Sequence, residues 1–378
     1  MLKLLKKLTV AWLVMLFSQN GAGCQSLDGA SMFRANPART GVQQTKALQS
    51  FCKVKWKFKA DAEIESTPVI AEGVMYVATY SGYIHALDLS TGKEKRRPFQ
   101  DKNRYKFISS PLVSGQTIYF LNQDGYFYVF NTSRSKEAWS DEGVRLAQVS
   151  ERSPAVSSPV ISGRMLFVGG SDGYLYAFND RTRTTEWKFK AEAGIGSSPA
   201  IANGTVYFGA DDFYIYAVSA STGKQKWQFL TRGPVLSTPA IADGILYVGS
   251  WEGNLYAIDV NTEREKWRFK TDRPISTSAA VYNGLVYLAA GDHLLFAIEA
   301  TTGKEKWRAP ALACMLCSPV IAESVVYIGG ENILKAIDAT TGQQKWQYIS
   351  QAAISTSPVV ADGVVYFGTV DGTVYAIE

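Results

Sequence analysis

The 378-residue chain is 46% hydrophobic and 19% charged, with 32 glycines, 13 prolines and 9 tryptophans. That balance supplies a packed core and excludes an intrinsically disordered polymer. The formal charge of +5 falls to +2 once Lys3, Lys6 and Lys7 are set aside with the first 23 residues, far short of the basic surface that nucleic-acid binding needs.

Residues 1–23 read as an export signal: Lys3, Lys6 and Lys7 give a positive start, Leu8 to Phe17 an apolar run, and Ser18 to Gly23 a small, polar exit. The apolar run is too short to span a bilayer comfortably. The exit ends at Ala22-Gly23-Cys24, which resembles the lipobox of bacterial lipoproteins, with Gly21 where that motif usually has Leu. The resemblance implies lipid on Cys24, and Gln25 after it is compatible with sorting to an outer membrane. The other reading is ordinary signal cleavage, with Cys24 a bystander. Residues 24–50 lack periodicity, and the stretch from Met32 to Gly41 reads either as an ordered strap with Phe33 docked on a blade or as a solvated tether.

Residues 51–378 repeat one unit. Pro68, Pro111, Pro159, Pro199, Pro239, Ala279, Pro319 and Pro358 hold one position, at spacings of 43, 48, 40, 40, 40, 40 and 39 residues. Such a period means a propeller or a solenoid. Each unit carries four short alternating runs, typified by Ser197 to Ile201, Val206 to Gly209, Ile215 to Ala217 and Lys224 to Phe229. Their β-branched and aromatic residues mark strands. Pairs such as Asn203-Gly204, Asp243-Gly244, Asp124-Gly125 and Asp172-Gly173 supply the positive φ of tight hairpins. The expectation is an all-β, eight-bladed propeller of four-stranded antiparallel blades. An orphan fourth strand around Trp56 and three final strands without a fourth predict that the N-terminal strand completes the last blade.

The unit closes on Trp56, Arg96, Trp139, Trp187, Trp227, Trp267, Trp307 and Trp346, so Arg96 takes an indole's place in the first blade. There its guanidinium plane can stack. Each indole is expected to lie across the neighbouring blade, with the Ala of the third strand leaving room. Thr67, Ser110, Ser158, Ser198, Thr238, Ser278, Ser318 and Ser357 precede the proline position. They are read as satisfying backbone groups near the axis.

Ala217 to Trp227, Ala336 to Trp346 and Ala86 to Arg96 follow the pattern Ala-Ile-Asp-x-x-Thr-Gly-Lys-x-x-Trp. This pattern resembles the PQQ-like repeat of quinoprotein dehydrogenases, which also builds the BamB family of outer-membrane assembly lipoproteins. The resemblance implies two functions of different class. The first is a non-catalytic envelope scaffold with a protein partner, such as a member of the β-barrel assembly machinery, anchored to the membrane by its lipid. The second is a dehydrogenase using pyrroloquinoline quinone. Enzymes of that kind carry adjacent cysteines over the quinone and hold calcium on extended loops; this sequence has no adjacent cysteine pair, so no cofactor is expected. A third reading is a sensor or polysaccharide-binding propeller. The scaffold reading is preferred.

Four features remain. Cys314 and Cys317 are spaced as a Cys-x-x-Cys, but Cys317 fills a slot held elsewhere by Ser or Thr, and residues three apart on a strand point to opposite faces. They are read as unpaired core cysteines. His85 and His293 suggest no catalytic or metal set. The repeat swells between Arg96 and Pro111 and between Trp139 and Pro159, placing both insertions on the face of the second-to-third-strand hairpins. That face also gathers Arg104, Lys106, Arg152, Arg232, Arg273 and, in the fifth hairpin, Trp251. They are read either as a mixed solvated rim, with Trp251 folded back on its blade, or as a partner-binding surface.

Overall fold

The computed structural model describes residues 32–101, 104–123, 125–131, 144–145, 157–182, 184–311 and 317–378. The sheets are eight and the architecture is an eight-bladed β-propeller. Blade 4 shows the plan: inner strand Ala200–Ala202, then Thr205–Gly209, Tyr214–Ser219 and outer strand Gln225–Leu230, each antiparallel to the last. Blades 1, 2, 3, 5, 6, 7 and 8 start at Val69, Leu112, Val160, Ala240, Ala280, Val320 and Val359. Inner strands of neighbouring blades touch around the axis. In blade 8 the outer strand is Val54–Lys59, paired with Thr373–Ile377 from the other end of the chain.

The repeat motif is structural at nearly every position. Trp187, Trp227, Trp267, Trp307 and Trp346 stand opposite Ala177, Ala217, Ala257, Ala297 and Ala336, where a methyl group leaves room for the ring. The indoles reach into the next blade: Trp56, Trp187, Trp267 and Trp307 donate from Nε1 to the carbonyls of Leu89, Ala220, Ala300 and Ala339 at 3.0, 3.2, 2.9 and 3.1 Å. Beneath these rings lie Gly92, Gly223, Gly303 and Gly342, where an added Cβ would come within 2.5–2.7 Å of the indole. Each also has a φ near +70°, which glycine adopts at no steric cost. The Asp of the motif caps the same turn, as Asp338 does by accepting from the N–H groups of Thr340 and Thr341 at 3.0 and 2.9 Å.

The hydroxyl before the proline position links blade to blade. The N–H groups of Thr67, Ser110, Ser158, Thr238, Ser278 and Ser318 donate to the hydroxyls of Ser110, Ser158, Ser198, Ser278, Ser318 and Ser357 at 2.9–3.1 Å.

The segment from Met32 is an ordered strap that enters the axis from the hairpin face, the end of the blades that carries the first-to-second-strand and third-to-fourth-strand hairpins. Carbonyls of Pro37, Ala38, Thr40 and Gly41 accept from the N–H groups of Ile201, Ile241, Val281 and Ile321, one in each of blades 4 to 7. Val42–Gln43 then adds a parallel fifth strand to blade 7. Two buried arginines fasten it. Arg39 donates to the carbonyls of Phe33, Ser158, Pro159 and Pro199, and Arg34 to those of Arg39, Ala279 and Pro319. Burial pulls both guanidiniums down to about 9, the neighbouring Arg34 adding to the effect on Arg39. Met32, rather than Phe33, enters the core of blades 2 to 4, and Phe33 lies under the Arg39 guanidinium at 5.6 Å.

The first two blades depart from the expected spacing. In blade 1 the outer strand is only Phe99–Gln100, with Phe99 opposite Ile84. In blade 4 the residue two after Trp227, Phe229, holds the equivalent place opposite Ile215. One residue is therefore added between Arg96 and Phe99, and Pro98, which has no N–H to donate, breaks the ladder there. In blade 2 the outer strand is Val144–Arg145, so it is not centred on Trp139, which lies outside the described residues. The unpaired reading of Cys317 is also overturned: this buried residue is disulfide-bonded, to a partner outside the described residues. Cys317 precedes the strand Val320–Ala322, so the alternation argument against a bridge does not apply to it.

Candidate functional site on the loop face

Because strands alternate in direction, the second-to-third-strand hairpins and the fourth-to-first-strand loops meet on one face, opposite the face entered by the strap. Of the large apolar side chains exposed among the described residues, Phe213, Leu230, Trp251, Ile349 and Val370 stand at this end of their blades, and Phe51 stands at the other. Three of them lie on neighbouring loops of blades 4 and 5. Phe213 and Leu230 adjoin through Thr231, whose N–H donates to the Phe213 carbonyl at 2.9 Å. The loop that follows Leu230 brings Pro234 to Trp251, whose N–H donates to the Pro234 carbonyl at 2.9 Å. Exposures of 42% for Phe213, 58% for Leu230 and 39% for Trp251 leave apolar surface in water that the fold does not bury.

The backbone beneath this group is fixed. Ser250 donates from its hydroxyl to the Gly233 carbonyl at 3.0 Å, and the Gly253 N–H closes the hairpin on Ser250 at 2.9 Å. Glu252 accepts from the Tyr256 hydroxyl and from the Arg232 N–H. Burial alone would push the Glu252 carboxyl up, but these bonds with those from Asn254 outweigh it and hold it below its ordinary value. Burial, and then the bond to Glu252, push the Tyr256 phenol up to about 12. The group is thus a permanent hydrogen-bond donor, and Trp251 is presented on a pinned hairpin rather than folded into its blade.

The structure divides the expected site. Arg232 is exposed beside the apolar group, and Arg273 follows one blade further on, its carbonyl held by the Thr271 hydroxyl at 2.8 Å. Arg104 and Lys106 share the face but stand at the junction of blades 1 and 2, where Lys106 lies 4.7 Å over the Tyr80 ring. Arg152 and Cys24 lie outside the described residues.

Sequence reasoning missed a buried polar group at the seam of blades 8 and 1. His85 is bracketed by Glu94 at Nδ1, 2.7 Å, and Asp61 at Nε2, 2.9 Å. A signal existed: His85 replaces the tyrosine whose hydroxyl bonds a loop acid in other blades, as Tyr176 bonds Asp172 and Tyr216 bonds Asp212. Among the described residues no group of three or more His, Cys, Asp or Glu side chains is placed to hold a metal ion.

Compared with known families, residues 12–228 and 232–378 match the family model described as outer membrane protein assembly factor BamB. The chain belongs to the BamB family. A BamB of Legionella pneumophila (strain Paris) is 29% identical over 83 residues, and the match spans 22% of this chain and about a fifth (20%) of that relative's length. The crystal structure of BamB from Moraxella catarrhalis superposes with a TM-score of 0.71 at 17% identity, covering 86% of this chain and 97% of that one. A quinohemoprotein alcohol dehydrogenase from Pseudomonas putida HK5 superposes with a TM-score of 0.77 at 14% identity, covering 93% and 80%. Identities this low show a shared propeller, not a shared activity.

Proposed function

We propose that this BamB-family propeller is a non-catalytic scaffold of the cell envelope that docks a protein of the outer-membrane assembly machinery. The observation that carries this reading is the exposure of Phe213, Leu230 and Trp251, with Arg232 among them in sequence, on hydrogen-bonded neighbouring loops of one face. Aromatic and arginine side chains over a fixed backbone are the composition of an interaction hot spot, because little conformational freedom is lost on docking. The disulfide at Cys317 supports an oxidising compartment. We place the export signal at residues 1–23 and the lipid at Cys24, which would hold the ring at a membrane surface.

The test is recovery of partners from detergent-solubilised membranes with the full chain as bait. Wild type should retain a defined envelope protein, and Phe213→Ser with Leu230→Ser should lose it while folding normally. Equal recovery by both baits would remove the loop face from the function.

A further inference from the structure

Among the described residues the strap bonds the inner-strand amides of blades 4 to 8 and not those of blades 1 to 3. A cavity of about 230 Å³ lies between the strap and the inner strands of blades 8 and 1, lined in part by Arg34, Gln44, Thr67, Ile70 and Ser357. The N–H groups of Ile201, Ile241, Val281 and Ile321 find the strap's carbonyls, and that of Val360 finds the Gln43 side-chain oxygen; those of Val113 and Ile161 in blades 2 and 3 find no acceptor among the described residues, but these two do not line the cavity. Ile70 holds the equivalent position in blade 1, and its N–H has no acceptor among the described residues. The hydroxyl ring is also open here. The Ser357 N–H does not bond the Thr67 hydroxyl, just as the Ser198 N–H does not bond that of Thr238, the other threonine of the ring, so the Ser357 N–H is left over beside the cavity. Two amide donors and one free hydroxyl therefore line a single cavity.

The charge beside the cavity is of one sign. Arg34 and Arg39 are both buried, and among the described residues neither has an acidic partner; each is held by carbonyl oxygens alone. Arg34 uses three of its N–H groups in this way, which leaves about two of a guanidinium's five donors over. Buried cations are stabilised far more by an anion than by carbonyl dipoles.

We propose that the cavity binds a small carboxylate, its two oxygens accepting from the Ile70 and Ser357 N–H groups and from Thr67, with Arg34 supplying the compensating charge. The space equals roughly seven waters at about 30 Å³ each, enough for a four-carbon acid. Gln44, exposed at the rim, marks an entry that does not require the strap to move. The site lies on the face opposite the docking surface, so either assignment can fail without the other.

Titration calorimetry on the full chain at constant ionic strength tests this with butyrate, with acetyl-trialanine as free acid and as amide, and with inorganic phosphate. Butyrate or the tripeptide acid should bind in the millimolar range or tighter, and the tighter of the two identifies a free metabolite or a chain terminus as the source. Thr67→Val, which removes a hydroxyl outside the formed ring links, should weaken binding about tenfold, and Arg34→Gln should abolish it. If Arg34→Gln does not fold, Thr67→Val decides. No heat with either acid at 10-fold millimolar excess, undiminished binding by Thr67→Val, equal binding of acid and amide, or phosphate binding tighter than both acids would each overturn the assignment.

Discussion

The two ends of the propeller axis are finished in opposite ways. At the hairpin face the strap threads Pro37, Ala38, Thr40 and Gly41 along four inner strands, and Arg34 and Arg39 bury two cations among carbonyl oxygens. At the loop face the backbone is equally well bonded, but Phe213, Leu230 and Trp251 remain in water. Buried polar groups of blades 4 to 7 are satisfied internally at one end, and apolar surface is left unburied at the other. The first arrangement makes stability and, on the proposed function, the second makes binding, so the two faces should respond to substitution in different measurements.

The largest effect is expected at Arg39. Replacing it with alanine strips a donor from the buried carbonyls of Phe33, Ser158, Pro159 and Pro199, and a buried group left unpaired costs about 1–3 kcal/mol. Urea unfolding should show a loss of about 4 kcal/mol or more. Arg39→Lys should recover only part of it, since an ammonium cannot reproduce the planar fork. A loss below about 1 kcal/mol would mean that the strap is not fastened by this side chain.

At the loop face the expected change is in affinity. Trp251→Ala combined with Arg232→Glu should weaken partner binding by about 2 kcal/mol, roughly thirtyfold, with unfolding stability within about 0.5 kcal/mol of wild type. Charge reversals at Lys224 and Lys304, exposed on the opposite face, should leave binding unchanged. Normal binding by the Trp251 variant with loss in the lysine variants would exchange the roles of the faces.

These regions were not equally legible in the sequence. The strict spacing from Pro159 to Pro358 goes with contacts that recur, indole over glycine and hydroxyl to the next blade's N–H, so a physical problem met many times carried one solution. Where that problem occurs once, no repeat announces it. The stretch that holds Arg34 and Arg39 could be a strap or a tether on its residues alone, because nothing in a local stretch reveals that carbonyls some 120 to 285 positions away will surround them. The insertions were visible, but Pro98 displaced the blade 1 outer strand by a residue that counting from Arg96 could not locate. The loop-face candidates were named by composition, and only the fold separates Arg104 and Lys106 from Trp251, Arg232 and Arg273. Phe213 and Leu230 were missed because each looked like an ordinary strand-end residue.

The glycine under the indole gives a smaller and sharper contrast. Gly303 and Gly284 have φ of +72° and +71°, but an added Cβ at Gly303 meets the Trp267 ring at 2.7 Å, whereas at Gly284 it meets nothing within 4 Å. Alanine at either site suffers the same backbone strain, so their difference isolates the clash. Gly303→Ala should be less stable than Gly284→Ala by about 1–3 kcal/mol, the usual cost of overpacking. Equal melting of the two variants would show that the indole yields freely.

The smallest effect lies in the capped turns of the hairpin face, and pH reads it. Burial alone would raise the Asp338 carboxyl, but the N–H and hydroxyl of Thr341 and the N–H of Thr340 outweigh it, holding the carboxyl below its ordinary value. A carboxyl whose folded value is depressed stabilises the native state fully above its unfolded value, about 3.9 for aspartate, and loses that contribution as pH falls through the folded value. Asp338→Asn keeps an acceptor for the turn and removes the titration. The wild type should therefore exceed the variant by about 0.5 kcal/mol at pH 7, less than the loss of a whole side-chain cap. The gap should narrow as pH drops below about 4 and close as pH passes through the folded value. A difference that stays constant from pH 7 down through that range would mean the turn is held by acceptor geometry alone, with no contribution from the charge.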